Sequence, residues 1–247
     1  MNAYIHAIAS DTSLTEDIKL LIPNPQMRRR MSVLLKQSVG AAMQCLHNAG
    51  HPAVDAIVTA TAFGCLADSE QFLKNLLEND EQMLNPTPFI QSTFNTVGGQ
   101  VALLCDNVSY NMTYTHRGHS FESAVLDTVT LLETGDASCV LLGAFDFKTP
   151  TLEIILKRMG WPEGYGEGAY FFLLSSNPDG ALAQLHLPEF PAYLDKADLP
   201  ETPVYFPTQS ASSLYDLLAK GPLKKPVRLC HNYRDREPAV LLVSPTK

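Results

Sequence analysis

Along this chain, short apolar runs rich in β-branched residues alternate with longer runs whose apolar positions recur every three to four residues. "AYIHAIAS" (3–10) predicts a first strand. Val33, Leu34, Val39, Ala42, Met43 and Leu46 fall on helical spacing within 31–50, a largely buried helix closed by Gly50. "VDAIVTAT" (54–61) predicts a second strand, followed by the loop "AFGCLADS" and a helix near 69–79. "NPTPFIQST" carries two prolines and predicts irregular chain. "FNTVGGQVALLCD" (94–106) predicts a buried helix whose glycine pair lets something pack very close.

The pattern continues with a strand in "VSYNMTYT", a helix over 120–134 and a strand over 137–146. The helix has Ser120 as a good N-cap type, stops at Gly135, and is apolar on most faces, which predicts a place between layers. A helix at 150–159, strands at 168–175 and 181–187, a helix at 209–220 and strands at 226–230 and 238–244 complete the reading. Strands alternating with helices imply a layered α/β architecture with a mostly parallel sheet. The Pro-rich stretch 187–208 is the one linker-like segment and marks a soft boundary.

Composition adds mainly exclusions. The net charge of −8 argues against a general nucleic-acid or anionic-membrane surface, and the basic run Arg28–Arg30 is short and opens a helix. The longest apolar runs are strand-sized, so no membrane span is expected, and the N-terminus lacks the pattern of a signal peptide. Cys45, Cys65, Cys105, Cys139 and Cys230 are scattered and odd in number, which argues against a zinc site and a disulfide framework. A reducing, cytoplasmic compartment is the expectation.

The candidate chemistry is concentrated in "YTHRGHSFESA" (114–124), between a strand and a helix. "GHSFE" resembles a G-x-S-x-G nucleophile elbow, with Glu122 in place of the last glycine. A partner order of Ser120, then Asp195, Asp198 or Asp216, then His231 can be written, which would suit a serine acyl hydrolase or acyltransferase. The simpler role for Ser120 is to cap its helix. His116, His119 and Glu122 are spaced by three but straddle the turn, so helical metal-ligand spacing does not apply and no metal is expected. Cys65 is in a loop, whereas Cys105 and Cys139 are in apolar runs that suit inert thiols. "GYGEGAYFFLL" (164–174) precedes a strand rather than opening a helix, so Gly166 and Gly168 suit close backbone approach better than a phosphate cradle.

Taken in order, several segments resemble the ketoacyl-synthase branch of the thiolase superfamily. "RRRMSVLLKQSVGAAMQCLHNAG" is similar to that family's first long helix, and "NPTPFIQSTFNTVGGQVAL" to its proline-containing approach to an Asn-rich helix. "NMTYTHRGHSFESAVLDTVTLLETGDASCVLLGAFD" resembles the nucleophile strand, nucleophile helix and next strand, with the "GDA" turn between the last two. "GYGEGAYFFLLS" resembles the Gly-Glu-Gly-Ala strand at Gly166–Ala169, and "VRLCHNYRDREPAVLLVSP" the closing loop and strand. The resemblance implies a thiolase-like layered fold (α/β/α/β/α) with a nearly complete N-terminal half (1–180) and a shortened C-terminal half (181–247) packed on it as one unit. It implies no cofactor.

The departures are chemical. An ungapped overlay puts Gly118 where the family has its nucleophilic Cys, and a slide of one residue gives Arg117 or His119. Neither of the family's two His motifs is found; the nearest counterpart to one, "FPTQSASSLYDLLA" (206–219), offers Gln209 and Ser210. Without thiolate and His pair, decarboxylative condensation has no apparatus. The resemblance therefore extends to short chain-length-factor-like homologues of the aryl polyene type. These imply a heterodimer with an active ketosynthase, which engages an acyl-carrier protein, with a homodimer possible in isolation. The implied dimer strand is Tyr110, Asn111, Met112, Thr113 and Tyr114. His116, Arg117, His119, Ser120 and Glu122 are then polar residues of a vacated site, with Arg117 and Glu122 available as an ion pair that plugs it. A stand-alone acyl or acyl-carrier binding module is the further alternative.

Overall fold

A computed structural model describes residues 3–161, 167–190, 206–233 and 238–246. Its strands are β1 (Tyr4–Ser10), β2 (Ala56–Ala60), β3 (Tyr110–Tyr114), β4 (Cys139–Asp146), β5 (Gly168–Ser175), β6 (Ala183–Leu185), β7 (Val227–His231) and β8 (Ala239–Ser244). They form one eight-stranded sheet in the order β3-β2-β4-β5-β1-β6-β8-β7. The helices are α1 (Ile18–Leu21), α2 (Pro25–Arg30), α3 (Val33–Asn48), α4 (Leu66–Glu78), α5 (Pro86–Gln91), α6 (Thr96–Leu104), α7 (Ser120–Thr134), α8 (Pro150–Arg158) and α9 (Pro207–Ala219).

Alternation along each strand sends side chains to opposite faces of the sheet, and each face is covered. On one, α7 and α9 bring Phe121, Val125, Val129, Ala211 and Leu214 against Val58, Leu142 and Phe172. On the other, α3 and α6 bring Leu35, Val39, Ala42 and Val101 against Ile57, Leu141 and Phe171. The described residues thus form a mixed α/β architecture, one sheet with helices on both faces. The strands of the C-terminal part, β6, β8 and β7, continue the N-terminal sheet along its β1 edge.

Most of the sheet is antiparallel, contrary to the alternation reading. Only β2–β3 and β2–β4 run parallel, while β4–β5, β1–β5, β1–β6, β6–β8 and β7–β8 are antiparallel. The reason is where α8 goes. Its Leu152 and Leu156 pack on Phe206 and the 62–66 loop instead of on the sheet, so it makes no crossover and β5 returns directly beside β4.

Three local expectations also change. "NPTPFIQ" is helical: Pro86 is at a first-turn position and the Asn85 side chain accepts from Thr87 N–H at 3.0 Å. Ser120 is not the cap of α7. The chain enters through a 3-10 turn at Arg117–His119, His119 takes the cap position, and Ser123 donates back to the His119 carbonyl at 3.0 Å. Finally, α7 leaves Leu126 43% exposed, so it is not enclosed on all faces by the described residues. The segment 191–205 of the Pro-rich stretch and Gly166 lie outside the described residues.

Candidate functional site

The parallel strands β3, β2 and β4 end side by side, and the loops leaving them meet above the sheet. Asp146, the last residue of β4, ties the loop after β2 in place. Its carboxylate accepts from the Thr61 hydroxyl at 2.8 Å, from Phe63 N–H at 2.9 Å and from Ala62 N–H at 2.9 Å. Complete burial still dominates and pushes the Asp146 carboxyl up to about 7, against the pull of those donors. Phe63 then rests on Phe206 at the start of α9, ring centroids 5.4 Å apart.

Gly118 lies in the turn that opens α7, buried. A Cβ at this position would come within 2.1 Å of Cδ2 of Tyr233, so the aromatic ring fills the space a side chain would need. Gly98 on α6 is a second close approach, where a Cβ would meet Asn111 Oδ1 at 2.7 Å. There Asn111 Nδ2 donates to the Gly98 carbonyl at 3.0 Å and fastens α6 to β3.

Glu122, in the first turn of α7, is fully buried. Its partner is His231, at the end of β7, whose Nδ1 donates to Glu122 Oε1 at 2.8 Å. Burial pushes the Glu122 carboxyl up, but the hydrogen bond and charge of His231, the Ser210 hydroxyl and the charge of His119 together hold it below its usual range. An ionised carboxylate only accepts, which fixes the proton on His231 Nδ1. The Ser210 hydroxyl faces the carboxylate without the geometry of a formed hydrogen bond, and Glu122 Oε2 has no hydrogen-bond partner among the described residues. Ser210 and Thr208 belong to the first turn of α9, held against α7.

The expected site residues thus part company. His119, Ser120 and Glu122 are buried, whereas His116 is exposed. His119 packs edge-on against Tyr233 at 5.8 Å and tilted against Phe190 at 6.3 Å. The side chain of Arg117 lies outside the described residues, and the partner found for Glu122 is His231. Of the residues proposed for a serine triad, Asp195 and Asp198 lie outside the described residues, Asp216 is exposed, and the Nδ1 of His231 is committed to Glu122. Cys65, in the loop, is buried, and desolvation with the nearby Asp68 pushes its thiol up to about 12. Tyr233 and Asp146 were not singled out by sequence. No spacing signals them, because each acts on a segment more than eighty residues away.

Tyr110–Tyr114 is the edge strand of the sheet. It pairs with β2 on one side, and no strand lies on its other side among the described residues. Tyr110 and Met112 are 39% and 40% exposed, and the Tyr110 hydroxyl donates to Asp127 on the outer face of α7 at 3.0 Å. No helix among the described residues is long and apolar enough to cross a membrane.

Residues 8–155 match the family model for the beta-ketoacyl synthase N-terminal domain. Matched over more than half its length, the chain belongs to the beta-ketoacyl synthase family. No curated protein matches it. Among solved structures, it is similar to a chain of AntDE:AntF, a type II polyketide synthase acyl-carrier protein in complex with its ketosynthase bound to the hexaketide. There the TM-score is 0.78 at 13% identity, covering 98% of this chain and 99% of that one. The ketosynthase ApeO with its chain length factor ApeC from Xenorhabdus doucetiae gives a TM-score of 0.67 at 18% identity, covering 99% of each chain. The ishigamide ketosynthase/chain length factor gives 0.70 at 13%, covering both chains fully. At these identities the likeness establishes the fold.

Proposed function

We propose that this chain is a catalytically inactive ketosynthase-like subunit, of chain-length-factor type, that works by pairing with an active ketosynthase in aryl-polyene-like polyketide or fatty acid biosynthesis. The observation that carries the reading is Gly118. The position overlaid on the family nucleophile has no side chain, and the Tyr233 ring occupies the space one would need. The residues left around it, Glu122, His231 and His119, are spent on one another's burial. Similarity to ketosynthase complexes that contain a chain length factor supports the same reading.

Pairing would run through β3, residues Tyr110, Asn111, Met112, Thr113 and Tyr114. An exposed edge strand offers unpaired N–H and C=O groups to a second chain. The exposed face of α7 beside it, with Leu126, would be covered in the same step. Residues 1–180 and 181–247 act as one unit, in the cytoplasm, and the active partner receives its substrate on an acyl-carrier protein. In isolation the same edge serves a homodimer.

The test is co-expression with a full-length ketosynthase that carries the nucleophilic Cys, tagging this chain alone and weighing the complex by native mass spectrometry. The expected result is one copy of each, with condensing activity that disappears when the nucleophilic Cys of the ketosynthase is replaced. Condensation of acyl and malonyl thioesters by this chain on its own would overturn the reading.

A further inference from the structure

A cleft of about 590 Å³ opens between α2, α5 and α6 and shares no lining residue with the Gly118 site. Its apolar walls are Met27, Ile90, Leu103 and Leu104, and it is lined by no carboxylate. Ile90 and Leu103, which line the same cleft, are 65% and 67% exposed. Two polar groups on the same walls are unspent. Gln91 is 6% exposed, and its Oε1 has no hydrogen-bond partner among the described residues. Arg30 is the one charged lining residue and meets no carboxylate among the described residues. Its neighbour Arg28, by contrast, is satisfied by the carbonyls of Ile22 and Pro23.

An uncharged hydrocarbon would leave Arg30 without use, and a compact anion would leave Ile90 and Leu103 in water. A ligand that satisfies both has an apolar chain and an anionic end. The volume falls within the range of small-molecule sites, and a guanidinium at the rim of an aliphatic trough suits a carboxylate head held by two parallel N–H groups. The chain as a whole carries net charge −8, so attraction of an anion to this place is local to Arg28–Arg30 rather than a general property. We propose that the cleft between α2, α5 and α6 binds a free medium-chain carboxylate, its chain against Ile90, Leu103 and Leu104 and its head on Arg30. The proposal is independent of pairing with a ketosynthase, because it uses none of the residues of β3 or of the Gly118 site.

The experiment is calorimetric titration of the purified chain with sodium decanoate, with decanol as the neutral probe, on wild type, Arg30→Ala and Leu103→Gln. Both substitutions fall on exposed side chains, so the variants keep the fold, which circular dichroism checks. Saturable binding at one site is expected, weakened about tenfold by loss of the charge-assisted contact, either in decanol or in Arg30→Ala. Leu103→Gln should weaken both probes alike. Equal affinity for decanoate and decanol overturns the proposal, as does an unchanged affinity in Arg30→Ala. No binding of decanoate, with Arg30 and Leu103 instead protected by an added carrier protein or ketosynthase, assigns the cleft to a protein contact and overturns it too.

Discussion

Asp146 makes the most quantitative demand on the structure. Its carboxyl is fully buried at the end of β4 and titrates near 7 in the folded chain, against 3.8 for an ordinary aspartate. The folded state therefore holds a proton between these two values that the unfolded state has released. Stability must fall as pH rises through that window, and level off above about 7. At 1.36 kcal/mol per pH unit the group costs the folded protein roughly 4 kcal/mol at neutral pH and above. Other carboxyls titrate over the same range, so the measurement is a difference. Asp146→Asn keeps an oxygen for the Thr61 hydroxyl and Phe63 N–H, and removes the charge. It loses about 1 kcal/mol, independent of pH, where its NH2 faces the Ala62 N–H. Urea unfolding of both proteins from pH 4 to 8.5 should show wild type losing about 4 kcal/mol relative to the variant between pH 4 and 7, then no further change. A flat difference, or wild type gaining on the variant as pH rises, would refute the assignment of a desolvated, loop-anchoring carboxylate.

Glu122 works in the opposite sense. Its folded carboxyl is held below the usual range, so its contribution is present above about pH 4.5 and is lost as pH falls through the folded value; Glu122→Ala should cost about 3–5 kcal/mol at pH 7 by leaving His231 buried without its partner. Gly118→Ala should destabilise by about 1–3 kcal/mol because the new methyl meets Tyr233, and Tyr233→Ala should abolish that penalty in a double-mutant cycle. Met112→Lys, at an exposed position of β3, should leave thermal unfolding of the monomer nearly unchanged and remove the proposed pairing with a ketosynthase in co-purification.

What the sequence made legible follows from how local each signal is. The strand at 139–146 and the helix at 120–134 were readable because a continuous apolar run and a terminal glycine are properties of neighbouring residues. The two prolines of "NPTPFIQ" misled for a local reason as well. Proline ends a helix from within but starts one at its first turn, and Asn85 decides which by capping. The sense of the sheet was not readable, because it depends on whether α8 covers the strands or turns to Phe206, and both choices bury Leu152 and Leu156. The turn at 114–124 stood out through its concentration of polar residues. What those residues do was hidden, since Glu122 is answered by His231 at a separation of 109 residues.

That long-range answer bears on how a cysteine placed at 118 would behave. A cysteine at 118 would sit near the N-terminus of α7, where the helix dipole favours a thiolate. Two features oppose it. The space is already filled by Tyr233, and the surroundings are buried with an ionised Glu122 in the following turn. Burial drives the thiol of Cys65 up to about 12 and that of Cys139 up to about 11 in this same chain. The helix-terminus effect is worth about 0.3–1 kcal/mol in ordinary settings, less than one pH unit, and cannot offset shifts of that size. Gly118→Cys combined with Tyr233→Ala should therefore react with iodoacetamide with a pH midpoint at or above the ordinary thiol value of about 8.5. A midpoint below 7 would mean that the surroundings of residue 118 activate a thiol, and would refute the argument from burial.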